Sequence, residues 1–165
     1  MRVYVPLTLS GLAEAYKAGE VASGAEPLAA YGVTPALREW CATDDIEELE
    51  YAALGQAAQA SLRLIARDAG AARRRVVLAV DVADALVEDG RDAPGAGAGP
   101  ELGAVRVSVA GGLGLKKAAA VHVDAGEAEA DVAAAAAAED PDEAEGLEDH
   151  ELLWFATQEI SGLIA

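Results

Sequence analysis

The chain has 165 residues, 53% of them hydrophobic and only 4% aromatic, with a formal net charge of −17 at pH 7. That length and apolar content suit one domain over residues 1–165, with a core of Ala, Val and Leu, and exclude a disordered chain. The charge excludes sequence-independent binding to nucleic acid or to an anionic membrane, since both demand a positive surface.

Arg2 to Thr8 reads as a first strand, and Pro6 assigns it an edge or terminal position. Ser10 follows as an N-cap for a helix running to about Val21. Leu28 to Val33 is a second strand. Thr34-Pro35 then opens a short helix, with a capping hydroxyl followed by proline at the first helical position. The longest element is Thr43 to Arg67. Ile46, Leu49, Ala53, Ala57, Ala60 and Leu64 fall on one helical face there. Asp44 with Glu47, and Asp45 with Glu48, have capping-box spacing, while Arg63 and Arg67 suit the negative end of the helix dipole.

Arg73 to Val82 carries a near-continuous apolar run, which predicts an interior strand buried on both faces. The Gly/Pro-rich stretch near 84–100 reads as an exposed loop. Ala104 to Ala110 alternates, predicting a half-buried strand with Arg106 and Ser108 toward solvent. Ala118 to Val123 is the last predicted strand. A helix over Glu127 to Glu139 and a C-terminal helix over 148–163 complete the chain. This order favours an α+β fold, a mixed sheet of about five strands covered by helices. A doubly wound α/β sheet is the alternative.

The charge is unevenly spread. Of 29 acids, 13 lie between Asp124 and Ala165, where there is no Lys or Arg. Such a surface suits solubility, a basic protein partner or cations. The single cysteine, Cys41, permits no internal disulfide, and no apolar run reaches the ~18 residues of a membrane span. A cytoplasmic protein is expected, with neither nucleic acid nor membrane as partner.

Chemistry could sit in five places. Period two puts His122 and Asp124 on one face of a strand, about 7 Å apart. There they could share a metal ion or act as a base and its orienter. The plainer alternative is a half-exposed strand-end His, with Asp124 and Glu127 forming a capping box for the next helix. The stretch Gly111-Gly-Leu-Gly-Leu-Lys116-Lys117 resembles a phosphate loop in composition. It is followed by Ala118 and a strand where Ser or Thr and a helix are required, so a hairpin with two solvated lysines fits better. Arg73 to Arg75 could pair with acids or receive a phosphate, and Cys41 has no obvious activating base. Finally, a helix over 148–163 would put Leu152, Leu153, Ala156, Ile160 and Leu163 in its buried stripe. Trp154 and Gln158 would share a flank, where an off-face Trp could anchor a partner. No ligand set for a metal or cofactor stands out, so none is expected.

The segments MRVYVPLTL, YGVTPALREW, EELEYAAL with ASLRLIAR, RRVVLAVDV, AAVHVD and LLWFATQEI together resemble a family of small uncharacterised actinobacterial proteins, a domain of unknown function. The resemblance runs nearly end to end and implies no activity or site residue. The residues themselves favour a non-catalytic cytoplasmic interaction or regulatory domain, able to form homo-oligomers. A small metal-dependent enzyme or ligand-binding protein using His122 and Asp124 is the alternative.

Overall fold

The structure, a computed structural model, describes residues 1–21, 27–90, 101–108, 113–141 and 144–165. In chain order the strands are β1 (Arg2–Leu7), β2 (Glu20–Val21), β3 (Leu28–Gly32), β4 (Val76–Asp81) and β5 (Val87–Asp89). They continue with β6 (Ala104–Val107), β7 (Leu113–Gly114), β8 (Ala118–Val123) and β9 (Leu153–Phe155). The helices are α1 (Leu9–Ala18), α2 (Pro35–Cys41), α3 (Ile46–Ala66), α4 (Glu129–Ala137) and α5 (Ile160–Leu163). Seven strands form one sheet in the order β5-β6-β3-β1-β4-β8-β9, and β2 pairs with β7 in a separate ribbon. Every pairing is antiparallel.

The fold is therefore α+β, with an antiparallel sheet in place of the expected mixed one, and the doubly wound alternative is overturned. From Val76 to Val80 strand β4 is apolar without interruption because both faces of the sheet are covered, and these residues are all buried. On one face Val3, Val5, Leu78 and Val121 pack with Leu12 of α1 and Ile160 of α5. On the other, Tyr4, Tyr31, Val77 and Ala79 lie beneath Leu37 of α2 and Leu49, Ala53 and Ala57 of α3. The alanines on α3 let the helix backbone approach the sheet closely, which is how a core with few aromatics fills its space. Helix α4 then stacks on the far half of α3 through Leu62, Ile65, Val132 and Ala135.

Local chemistry places most helix ends. Thr34 caps α2 by accepting from the Leu37 amide, with Pro35 at the first position as read from the sequence. Asp45 caps α3 by accepting from the Glu47 amide. The cap of α1 is Thr8 rather than Ser10, since it is the Thr8 hydroxyl that accepts from the Gly11 amide at 3.1 Å. Gly19 ends α1 at φ +77°, a conformation a β-carbon would strain.

Three sequence expectations fail for identifiable reasons. Strand β1 is not at the edge, for it lies between β3 and β4. Its pairing with β3 covers only Val3 and Tyr4, so Pro6 sits where β1 has β4 as its one neighbour. The proline rule holds locally. The loop expected near 84–100 includes strand β5, which pairs with β6, while residues 91–100 lie outside the described residues. The C-terminal helix over 148–163 is absent. Leu153–Phe155 form strand β9 on β8, and the helix α5 spans only Ile160–Leu163 after a 3₁₀ turn. The sequence Leu152-Leu-Trp-Phe155 satisfies a period of two as well as a helical one, and the open edge of β8 selects the strand.

Candidate functional site

Strand β8 presents Val121 and Val123 to one face and Ala120 and His122 to the α3 side. His122 lies between Val77 of β4 and Trp154 of β9. The Tyr4 ring tilts toward it, with centroids 6.4 Å apart and planes at 58°. The Tyr4 hydroxyl donates to Glu50 of α3 at 3.0 Å, and the Tyr51 hydroxyl donates to Glu151 at 3.0 Å. Helix α3 lies over β1, β3 and β4. Beyond β8 the face is left to Trp154, which is 62% exposed, and to Tyr51, also 62% exposed. The result is an open aromatic surface rimmed by carboxylates, with His122 half-buried at its base.

Electrostatics keep this surface uncharged at its base and acidic at its rim. Burial, aided by the nearby Arg2 guanidinium, holds the His122 pKa below its ordinary value of 6.5, so the imidazole is neutral at pH 7. Burial and the Glu50 carboxylate push the Tyr4 hydroxyl well up, so it remains a donor to Glu50. The Glu151 carboxylate likewise raises Tyr51 by accepting its hydrogen bond.

His122 and Asp124 do not meet at a common centre. Asp124 is fully buried and wholly occupied by Arg75. The Arg75 backbone amide and Nε donate to its Oδ2, and Nη2 donates to Oδ1, each at 2.8 Å. Arg75 Nη2 also donates to the His150 carbonyl at 2.9 Å, which ties the start of β4 to the end of β8 and to the segment before β9. Nor does Asp124 cap the next helix. The capping-box expectation loses to a bidentate, charge-assisted pair. Among the described residues no group of three or more His, Cys, Asp or Glu side chains is placed to hold a metal ion.

Arg73 donates to the Ile65 carbonyl at the end of α3, and Arg74 donates to the Asp124 carbonyl, so the arginine cluster is structural. Lys116 and Lys117 are exposed in a 3₁₀ turn that leads into strand β8. Of the glycines before them, residues 111–112 lie outside the described residues. Cys41 is half-buried against the core beneath α3. Trp154 and Gln158 do not share a helical flank, because Trp154 is on β9 and the exposed Gln158 lies in the following 3₁₀ turn. Tyr51 belongs to the surface, and the buried Tyr4 with its acceptor Glu50 lies behind it, although their spacing in sequence gives no hint of it. Their one signal is the scarcity of aromatic residues.

The chain belongs to a family of unknown function, DUF6912. The family model matches residues 1–164. No curated protein and no solved structure matches the chain. Among the described residues no helix is long and apolar enough to cross a membrane. Membership of DUF6912 brings no reaction with it, so function rests on the surface itself.

Proposed function

We propose that this chain is a non-catalytic cytoplasmic interaction domain, of actinobacterial origin, that docks a basic, apolar-anchored segment of a protein partner on the Trp154 surface. The carrying observation is the exposure of Trp154 on an edge strand. A large aromatic side chain left in water beside an unpaired strand edge is a costly arrangement for an isolated domain, and it is where binding energy concentrates at interfaces. Leu153 on the same strand is 47% exposed on the opposite face, so the edge carries apolar area on both of its faces.

Charge selects the partner's chemistry. The surface is flanked by the exposed Glu148, Asp149, Glu151 and Glu159 and lies in a stretch without Lys or Arg. A second copy of the chain, docked edge to edge on this strand, would bring these acids together, so a basic segment is favoured over a homo-oligomer. The test is to measure binding of extended peptides alternating apolar residues with Lys or Arg, for the wild-type chain and for Trp154→Glu. Binding that weakens with salt and is lost in Trp154→Glu is expected. Binding that is unchanged by the substitution contradicts the proposal, and concentration-dependent dimerisation abolished by Trp154→Glu would assign the surface to a second copy.

A further inference from the structure

Away from Trp154, two cavities adjoin across Met1, Val33 and Asp84. One, of about 360 Å³, is lined by Val33, Val87, Leu102 and Val105, and also by Glu88 and Asp89. The other, of about 450 Å³, is lined by Arg2, Arg38, Glu50 and Ile46. Each is within the ~300–1,000 Å³ typical of small-molecule sites. The charged groups around the second cavity are not equivalent. Asp84 accepts from the Met1 amino group at 2.9 Å, and Arg2 Nε donates to Asp81 at 3.1 Å. The Arg38 side chain lines this cavity and has no hydrogen bond or ion pair among the described residues. Glu50 accepts one hydrogen bond there, from Tyr4, through Oε2 only. The Arg38 guanidinium, one oxygen of Glu50 and one oxygen of Asp84 thus have no hydrogen-bond partner among the described residues around one space, beside a largely apolar compartment that Glu88 and Asp89 also line.

We infer that these joined cavities bind a zwitterionic α-amino acid with a large apolar side chain. Its carboxylate would be taken by Arg38, its ammonium by Glu50, and its side chain by the compartment under Val33, Val87 and Val105. A guanidinium offers a planar donor fork that matches a carboxylate. A ligand without net charge is also spared the repulsion that a chain of −17 exerts on a simple anion. A simple amine would satisfy Glu50 and leave Arg38 unmatched. The arrangement therefore selects for both charges on one small molecule.

The experiment is thermal unfolding of the full chain, carrying any purification tag at its C-terminus. Probes are L-phenylalanine and L-leucine, with 3-phenylpropanoate and 2-phenylethylamine as controls lacking one charge each. At 100 times its dissociation constant a ligand of this kind raises the midpoint by roughly 5–10 °C. The expected result is a shift with the amino acids that neither control reproduces. It should be lost in Arg38→Ala and Glu50→Gln and retained in Trp154→Glu. Arg38 is exposed and Gln at position 50 still offers a carbonyl to Tyr4, so both variants should fold, as their ligand-free midpoints will show. No shift at millimolar amino acid, an equal shift with 3-phenylpropanoate, or a shift that survives Arg38→Ala would each overturn the inference.

Discussion

The α3-side face of the sheet has two halves that differ in cover. Over β1, β3 and β4, Leu49, Ala53 and Ala57 of α3 exclude water from Tyr4, Tyr31 and Val77. Over β8 and β9, His122 is half-buried and Trp154 stands mostly in solvent. The two halves share one sheet and one pleat, so strand geometry does not distinguish them. The length and placement of a single helix do. The covered half holds the domain together, and the open half is available for a partner.

Substitutions can break that contrast in order of expected effect. Asp124→Ala comes first, because it strands a buried guanidinium at the joint between the halves and should cost about 3–5 kcal/mol in chemical denaturation. Leu49→Ala, under α3 in the covered half, removes a fully buried side chain and should cost about 2–5 kcal/mol. Trp154→Glu on the open half should change stability by less than ~0.5 kcal/mol, since the ring is already in water. A large loss of stability in that variant would mean that the open half is structural after all.

A smaller effect sharpens the boundary between the halves, where His122 sits. Its folded pKa is lowered, so at low pH the unfolded chain binds the extra proton more readily than the folded one. His122 therefore costs nothing above its ordinary pKa of 6.5 and destabilises progressively as pH falls below it. His122→Gln should flatten the stability profile between that pH and the lowered value. An identical profile in the variant would show that His122 is not held neutral by burial.

Much of the fold was legible in the sequence, because the signals were local. The interior strand over Val76–Asp81 announces itself by its apolar run, and Thr34-Pro35 and Asp45 by capping chemistry. Strand β9 was not legible, since Leu152 to Phe155 suits either period and the open edge of β8 decides between them. The open surface was legible only in part. Trp154 stood out in a chain with two tryptophans, but His122 beside it and Tyr51 on α3 are brought to that face only by sheet order and helix placement. The Arg75–Asp124 pair was hidden for the same reason, as 49 residues separate its members. Asp124 has the local spacing of a cap, but its tertiary partner Arg75 takes both of its oxygens.

The most direct test of the central claim uses Trp154 as its own reporter. In a Trp40→Phe background Trp154 is the only tryptophan, and its emission should lie at the long wavelength of a ring in water. Titrated with a basic, apolar-alternating peptide that binds the chain, that emission should shift to the blue and saturate, and added salt should reverse it. A peptide that binds while the Trp154 emission stays unmoved would contradict the account, and would place the interaction elsewhere on the molecule.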